Sequence, residues 1–361
     1  MLLSGLMLSG CLPGSGTVTT RGWYGARIVG DKLYLGTMNG RVVSVNITDD
    51  KLLWSVSLTP QATASKSFGC SSNTPPVSIY STPAVDNDLV YVTGYSNGKI
   101  YTISAVNQLS RDKYLTADNA TLPKPIVGSP AVAGGKVFVA SSDGILYALD
   151  TGLNEQWRFA TGDKMWSTPA VDGDTVYITS FDKMIYALNT ENGAKKWEFK
   201  TDGAIVSSPV ISGGTVFFGS LDRYLYALNA ADGSQKWKFQ GGNWFWANPL
   251  LVDGTIYAAN LDGKVYGLDA ATGQKKIEFN LGGPASSSPV LVNGQIIVAT
   301  EAGVVYSLDT GNNQQKQLIV LGEKINAPLA ASGNKVYIHT GKDNLYEVDA
   351  TSGAQRQLNI Q

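Results

Sequence analysis

Histidine and cysteine are scarce in this chain, and the shortage excludes several kinds of site. Its 361 residues include one histidine, His339, and two cysteines, Cys11 and Cys70, which are not adjacent. A histidine metal cluster or a Ser-His-Asp triad would depend on His339 alone, and no H-E-x-x-H or C-x-x-C motif occurs. We therefore expect His339 to be a packed or surface residue, and we expect no catalytic residue and no metal site.

Charge and long apolar runs are also scarce. Charged residues make up 16% of the chain, and 28 Lys and Arg against 29 Asp and Glu give a net charge of −1. Nucleic-acid binding normally requires a basic face, so we expect no nucleic-acid partner. Beyond the N-terminus no run approaches the ~18 apolar residues of a transmembrane helix.

The first eleven residues are typical of a short lipoprotein signal. Leu8-Ser9-Gly10-Cys11 resembles a bacterial lipobox, in which the signal is cleaved before a cysteine that is then lipidated. The stretch lacks a basic residue near Met1 and is shorter than an ordinary secretory signal, so an accidental apolar stretch is the alternative. We predict a signal over residues 1–11, lipidation of Cys11 and a linker over residues 12–22. Such an exported protein would be anchored on the outer side of the cytoplasmic membrane, or in the periplasm or outer membrane.

The chain is rich in glycine and is built from a repeat that is clearest over residues 207–242. The repeat is anchored by a proline, replaced by Ala26 in the first unit, that recurs at Pro83, Pro130, Pro169, Pro209, Pro249, Pro289 and Pro328. The last five spacings are 39, 40, 40, 40 and 39 residues, which makes eight units. In the clearest unit the strand-like runs are 208–212, 215–219, 224–229 and 235–239.

Four antiparallel strands per repeat of about 40 residues describe a β-propeller blade. The sequence therefore predicts an all-β fold, an eight-bladed β-propeller of four-stranded antiparallel blades in one domain over residues 23–361. Units one and eight each hold four strands. The ring would then close by packing of blade on blade, or through a strand from residues 17–21.

The recurring aspartates have two interpretations. An aspartate follows the second strand in several units, at Asp143, Asp182, Asp222, Asp262 and Asp343. A ring of carboxylates is compatible with Ca²⁺, but neighbouring blades would hold these residues too far apart to share an ion. Aspartate also stabilises turns through bonds to its own backbone, and we expect that role.

Two insertions break the period, at residues 59–80 and 104–127. The first lengthens the connection between units one and two, and we expect the second to replace the third turn and fourth strand of unit two. Binding residues often lie on such loops, and padding without function is the alternative. Cys70 lies in the first insertion, where we expect an unpaired loop cysteine, the alternative being a disulfide with a partner.

The units resemble the PQQ-like repeats of eight-bladed propellers, with the pattern A-x-D-x-x-T-G-x-x-x-W. Asp269, Thr272 and Gly273 match it. The fourth-strand tryptophan is present in four units and replaced in three, at Trp54, Trp157, Trp197 and Trp237 and at Ile277, Gln317 and Gln357. This fold serves both quinone-dependent dehydrogenases and BamB-type outer-membrane assembly lipoproteins. The resemblance therefore implies the fold and does not single out one function.

The resemblance also implies a test for quinone chemistry. Dehydrogenases of this fold carry a vicinal disulfide over the quinone, a tryptophan beneath it and Ca²⁺ held by Glu, Asn and Asp. Here no two cysteines are adjacent, and Trp166 or Trp246 would be the ring available for stacking. We therefore expect no enzyme activity and no required cofactor, PQQ included.

Aromatic residues cluster where the inner strands begin. Trp23, Tyr80, Trp166 and Trp246 lie three residues before an anchor, at the predicted channel mouth. Trp244 and Phe245 add to the last of them. Such rings suit contact with a protein or ligand, and packing between blades is the alternative.

These features predict a monomeric, non-catalytic scaffold of the cell envelope that binds a protein or ligand and contacts the membrane through its lipid. The alternatives are a PQQ-dependent dehydrogenase and a sensor or carbohydrate-binding propeller.

Overall fold

The chain forms eight four-stranded antiparallel sheets. A computed structural model describes residues 25–58, 77–115 and 124–360. Within every sheet the strands lie side by side in their order along the chain. Each sheet is therefore one blade made from one repeat, and the predicted eight-bladed architecture is confirmed. No helix suited to crossing a membrane occurs in the described residues.

The first half of the chain forms blades 1 to 4. Blade 1 comprises β1 (Arg27–Val29), β2 (Lys32–Gly36), β3 (Arg41–Asn46) and β4 (Leu52–Ser57). Blade 2 comprises β5 (Ala84–Asp86), β6 (Leu89–Thr93), β7 (Lys99–Ser104) and β8 (Ser110–Tyr114). Blade 3 comprises β9 (Ala131–Ala133), β10 (Lys136–Ala140), β11 (Ile145–Asp150) and β12 (Glu155–Ala160). Blade 4 comprises β13 (Ala170–Asp172), β14 (Thr175–Thr179), β15 (Met184–Asn189) and β16 (Lys195–Lys200).

The second half forms blades 5 to 8. Blade 5 comprises β17 (Val210–Ser212), β18 (Thr215–Gly219), β19 (Tyr224–Asn229) and β20 (Gln235–Gln240). Blade 6 comprises β21 (Leu250–Val252), β22 (Thr255–Ala259), β23 (Lys264–Asp269) and β24 (Lys275–Asn280). Blade 7 comprises β25 (Val290–Val292), β26 (Gln295–Ala299), β27 (Val304–Asp309) and β28 (Gln314–Val320). Blade 8 comprises β29 (Ala330–Ser332), β30 (Lys335–His339), β31 (Leu345–Asp349) and β32 (Gln355–Leu358).

Local turn chemistry sets the shape of each blade. In blade 5 the two-residue turn between β17 and β18 is Gly213-Gly214, with φ of 54° and 67°. Both angles lie in the left-handed region that glycine adopts without steric cost, and this turn matches the twist of an antiparallel hairpin. Pro209 precedes the first strand, which is shorter than the predicted 208–212 because proline offers no N–H to the ladder.

The core lies between the blades. The buried side chains of the described residues group into eight clusters, and each cluster joins the facing sheets of two neighbouring blades. In the cluster between blades 4 and 5, for example, Ile185 and Ala187 pack against Val216 and Phe218. Every blade is therefore stabilised by both neighbours, which makes the ring one cooperative unit.

A tryptophan closes three of these interfaces in the same way. The indole N–H groups of Trp157, Trp197 and Trp237 donate to a carbonyl in the third turn of the next blade, at 3.0, 2.9 and 3.0 Å. A glycine of that turn lies under each ring: a Cβ on Gly193 or Gly233 would come within 2.6 Å of it. The glycine and tryptophan of the repeat pattern are thus contact partners across an interface.

The strand register corrects two sequence expectations. Blade 2 keeps a third turn and a fourth strand, β8, so the extra residues lie between that strand and blade 3. The tryptophan position is held by Lys316 in blade 7 and Arg356 in blade 8, not by Gln317 and Gln357. The reason is a register shift: the bulge that precedes this position in blades 3 to 6 has moved in blade 7 and is absent from blade 8.

The ring closes by packing and charge between blades 8 and 1. Each of these two blades supplies its own four strands. Their facing side chains, Leu33 and Leu35 against Tyr337 and Leu345 among others, form one of the eight clusters. Arg356 of blade 8 binds Asp50 of blade 1, with Nη2 2.6 Å from Oδ1. Residues 17–21, the alternative source of a closing strand, lie outside the described residues.

Candidate functional site

A cavity of about 440 Å³ occupies the central channel. It is lined by residues in or just before the first strand of all eight blades. Arg27 is the one charged residue among the described residues that line it. A concave, mostly neutral surface of this kind suits binding through shape and hydrogen bonds.

Three of the six predicted aromatic residues meet at this cavity. Tyr80, Trp166 and Trp246 all line it, because each enters from the connection before a first strand. Val127, Val206 and Ser286 line it from the same position of blades 3, 5 and 7. The recurring position before the anchor proline thus gathers its side chains in space, as the spacing predicts. Trp23 lies outside the described residues.

Packing holds two of these rings in place. Tyr80 is 5% exposed and stacks on Tyr95, with the ring centroids 4.1 Å apart. Trp166 meets the edge of Phe181 at 4.6 Å. The Nζ of Lys164 lies 4.9 Å from the Trp166 ring and 4.5 Å from the Phe181 ring, where cation–π attraction is favourable. The rings are therefore ordered before any partner arrives.

The three consecutive aromatics of blade 6 have separate surroundings. Trp246 is partly buried and faces the channel, whereas Trp244 is 45% exposed. Phe245 is fully buried, and its Cβ lies against Gly219 of blade 5. Phe245 therefore packs between blades and presents no surface to a partner. Its prediction as a binding residue is corrected accordingly.

A belt of hydrogen bonds surrounds the channel, and the sequence reading did not anticipate it. The side-chain oxygen of the residue before an anchor proline accepts the backbone N–H of the equivalent residue one blade earlier. The described pairs are Gly25 to Thr82 at 3.1 Å, Thr82 to Ser129 at 2.8 Å, Thr168 to Ser208 at 2.9 Å, Ser208 to Asn248 at 2.7 Å and Asn248 to Ser288 at 3.1 Å. The recurrence of Ser, Thr or Asn before the anchor proline was the feature of the sequence that could have predicted these hydrogen bonds.

Two polar atoms at the cavity have no partner among the described residues. These are Ser286 Oγ and Asn326 Oδ1, both buried and both belonging to cavity-lining residues. A buried polar atom without a hydrogen bond is costly, so each favours a bound group that supplies one. Ser286 leads into blade 7, beside the blade that carries Trp246, and Asn326 leads into blade 8.

The recurring aspartates stabilise turns. Asp222 accepts the N–H of Asp202 at 3.0 Å and of Tyr224 at 3.0 Å, and the hydroxyl of Tyr226 at 2.8 Å. Burial raises the pKa of the Tyr226 hydroxyl well above its usual range, and the bond to Asp222 raises it further, so this tyrosine stays a donor. Asp143, Asp182 and Asp262 bind their tyrosines in the same way.

Asp343 departs from this pattern. It has a φ of 65° and so holds the left-handed position that Lys183 and Arg223 hold in blades 4 and 5, one residue later than the other aspartates. It accepts a hydrogen bond from Met38 N of blade 1 at 3.2 Å and lies 2.9 Å from His339 Nε2. His339 is 2% exposed, so the chain's one histidine is a packed residue at the closing interface.

The cavity lining does not fit a quinone with Ca²⁺. The described lining residues include no carboxylate, and the described chain holds no group of three or more His, Cys, Asp or Glu that could bind a metal. Protein sites for a hard cation such as Ca²⁺ normally include carboxylates among their oxygen ligands. Cys11 and Cys70 lie outside the described residues.

Fold and cavity together define the chain as an eight-bladed β-propeller with a cavity in its central channel. The model of the family described as outer membrane protein assembly factor BamB matches residues 14–152 and 153–357. The chain belongs to this family. No curated protein matches it.

The solved structures that share the fold include a natural and a designed propeller. BamB from Moraxella catarrhalis is 18% identical with a TM-score of 0.74, and the similarity covers 89% of this chain and 95% of that one. The computationally designed Ika8 protein is 12% identical with a TM-score of 0.74, over 91% of this chain and 96% of that one. At these identities the likeness concerns the fold alone.

Proposed function

We propose that this protein is a non-catalytic scaffold of the cell envelope that binds a protein partner at the channel mouth. Membership of the BamB family supports a protein-binding role in the envelope. The observation that carries the site is the meeting of Tyr80, Trp166 and Trp246 at one cavity, with Trp244 exposed nearby. Ordered aromatic rings around a concave surface are typical of interface hot spots.

Site-specific photo-crosslinking tests this proposal. A benzoyl-phenylalanine at position 244 or 166 should crosslink to one envelope protein, and the crosslinking should be saturable. The same group at Val320, which is 54% exposed on the outer strand of blade 7, should not. Trp166→Ala should abolish the crosslink from position 244 while thermal unfolding stays cooperative. Equal crosslinking from all three positions, or none from 244 and 166, would refute the proposal.

The proposed scaffold needs neither PQQ nor another cofactor. The absence of carboxylates from the described cavity lining supports this part of the proposal. Incubation with PQQ and Ca²⁺, followed by absorbance spectra and dye-linked alcohol oxidation, tests it. Bound quinone or alcohol oxidation would contradict the scaffold proposal and show that the protein is a dehydrogenase.

We also propose that Cys11 is lipidated and anchors the scaffold to the membrane. The lipobox-like sequence before Cys11 supports this. Cys11→Ser should move the protein from the membrane fraction to the soluble fraction. An unchanged distribution would contradict the anchor and leave the channel-mouth proposal untouched.

A neutral carbohydrate is the second candidate ligand. The unpartnered Ser286 Oγ and Asn326 Oδ1 in a cavity with aromatic walls favour it, because sugars present hydroxyl groups beside apolar ring faces. Saturation-transfer NMR with neutral oligosaccharides should show contacts that Trp246→Ala and Ser286→Ala both weaken. If no oligosaccharide shows saturation transfer, the carbohydrate proposal is wrong and the protein partner remains the one candidate.

A further inference from the structure

We propose that the groove between blades 2 and 3 binds a partner protein segment that presents a tryptophan next to an acidic residue. This groove lies away from the channel mouth, on the side of the molecule that carries the third turns. It is therefore a second contact surface, independent of the function proposed above.

The groove exists because blade 2 lacks the interface tryptophan. In the register of β7 and β8, Arg111 pairs with Thr102, as Trp157 pairs with Ala148 in blade 3 and Trp197 with Ala187 in blade 4. Arg111 thus holds the position whose ring closes those interfaces. A cavity of about 370 Å³ remains, lined by Leu89, Thr102, Ser104, Asn107, Leu109, Ser110, Arg111, Thr151, Gly152 and Leu153.

The chain itself shows which group fits such a groove. At three other interfaces an indole ring fills it and donates its N–H to the third turn of the next blade, at 2.9–3.0 Å. Thr151 holds the position of Thr190, the residue whose carbonyl accepts from Trp157. Leu153 holds the position of Gly193 and is 5% exposed, so it fills part of the space and leaves the cavity in front of it. An indole from outside would occupy the place of the missing one.

A buried hydroxyl and an exposed apolar rim support a ligand here. Thr102 is 7% exposed, lines the groove, and its Oγ1 has no hydrogen-bond partner among the described residues. Val106 and Leu109, in and next to the third turn of blade 2, are 69% and 70% exposed. They are the most exposed large apolar side chains in the part of the chain that the structure describes. Apolar exposure beside an apolar groove is typical of a protein-binding surface.

The acidic residue follows from a comparison of two arginines. Arg356 holds the tryptophan position in blade 8 and pairs with Asp50 in the third turn of blade 1. Arg111 faces a third turn with Thr151, Gly152 and Leu153, and it forms no salt bridge with any residue that the structure describes. A carboxylate beside the incoming indole would supply the partner that Asp50 supplies to Arg356.

Peptide titration on the full chain tests the proposal. The probes are EWE-amide, EAE-amide and KWK-amide, each labelled with fluorescein on the N-terminal amine and followed by anisotropy. The tryptophan peptide with glutamates should bind saturably and at least about tenfold more tightly than its alanine counterpart, since a buried aromatic anchor dominates such contacts. Arg111→Ala should bind the acidic and the basic tryptophan peptides equally. Absence of saturable binding, or equal binding of all three peptides to the natural chain, would overturn the proposal.

Two variants locate the probe. Arg111→Trp supplies an internal indole and should weaken binding at least about tenfold, and Leu109→Asp should do the same by placing a carboxylate beside Arg111. Val320→Asp makes the same change at an exposed apolar residue of blade 7 and should bind as the natural chain does. If Arg111→Trp does not fold, the peptide binding of Leu109→Asp decides whether the probe binds in the groove.

Trp166→Ala, at the channel mouth, separates this site from the function proposed above. It should bind the acidic tryptophan peptide unchanged. Loss of binding in this variant, or full binding by Leu109→Asp, would place the probe elsewhere and overturn the proposal.

Discussion

At the scale of single residues, the aspartate of the second turn joins three pieces of backbone and side chain. Asp222 accepts from the loop that enters blade 5, from its own turn and from the hydroxyl of Tyr226. A charged acceptor with three donors contributes more than a neutral hydrogen bond does. The same arrangement recurs at Asp182 and Asp262, with Gly162 and Gly242 as the donors in the entering loop.

Replacing Asp222 should reveal this role. We expect Asp222→Ala to lower the free energy of unfolding by about 2–3 kcal/mol, because three donors lose their acceptor. Urea denaturation measures the change. Asp232→Ala, at an exposed third turn of the same blade, should cost about 0.5 kcal/mol or less.

A calcium titration separates the turn role from a metal role. The melting temperature of the natural chain should not respond to Ca²⁺. A rise that Asp222→Ala abolishes would show that the carboxylate serves an ion and not the turn.

The sequence reveals a residue's recurrence more readily than its exact contact. The repeated aspartates were correctly interpreted as turn formers at Asp143, Asp182, Asp222 and Asp262. Asp343 was assigned to the same set, but its φ of 65° puts it one position later, where its carboxylate reaches blade 1. Backbone angles of this kind are set by tertiary contacts, and spacing in the sequence does not report them.

At the scale of elements, the contact between a fourth-strand tryptophan and a third-turn glycine sets the distance between blades. Gly233 has a φ of 74°, and a Cβ there would lie 2.6 Å from the Trp197 ring. The glycine is therefore required twice, for its backbone angle and for the space above it. Gly213 requires only the angle, since its φ is 54° and nothing lies within 4 Å of its Cβ position.

This pair of glycines supports a matched experiment. We expect Gly213→Ala to cost about 1–2 kcal/mol, the penalty for an L-residue in the left-handed region. Gly233→Ala should cost about 1–3 kcal/mol more, because the methyl group must displace the indole ring. Urea denaturation of both variants gives the difference. Equal costs would mean that Trp197 moves freely and that the ring does not fix the interface.

The register within elements was the weakest part of the sequence prediction. The turns and the second and third strands of blade 5 were predicted to the residue, because glycine pairs and alternating apolar residues mark them. The fourth strands were not: Lys316 and Arg356 hold positions assigned to their neighbours, since a moved or missing bulge leaves no mark in the sequence. Arg111 was missed as a tryptophan replacement because the fourth strand of unit two was expected to be lost to the insertion, whereas β8 is present.

At the scale of the whole molecule, the eight repeats gave the architecture because each blade depends on its neighbours for a core. The channel mouth was also predictable, since one position per repeat leads into it and its aromatics at Tyr80, Trp166 and Trp246 were recognised in advance. The groove between blades 2 and 3 was not, because it arises from two residues, Arg111 and Leu153, that become neighbours only after the ring forms. Departures from the repeat carry the functional information, but only the fold shows which departures meet.

Ring closure depends on a charge network that acid should weaken. Glu347 is 6% exposed; it accepts from Arg356 Nε at 2.9 Å and binds Lys335 Nζ at 2.9 Å, while Arg356 also holds Asp50 across the closing interface. Burial alone would raise the pKa of the Glu347 carboxyl, but its bonds to Arg356 and Lys335 outweigh burial and hold the pKa below its ordinary 4.5. A carboxyl with a lowered pKa stabilises the fold fully above its ordinary value, and that contribution is lost as the pH falls through the lowered one.

The natural chain should therefore lose stability below about pH 4.5 more steeply than Glu347→Gln does, because the variant has no proton to take up at this site. Glu347→Gln should be the less stable of the two at about pH 7, where it leaves Arg356 and Lys335 without the carboxylate they share. Urea denaturation at about pH 7 and about pH 3.5 measures both effects. Glu191→Gln removes the exposed carboxylate that binds Lys136 and should change neither the stability nor its slope. If the acid slopes of the natural chain and Glu347→Gln coincide, the network at the seam does not stabilise the closed ring, and closure rests on the apolar cluster between blades 8 and 1 alone.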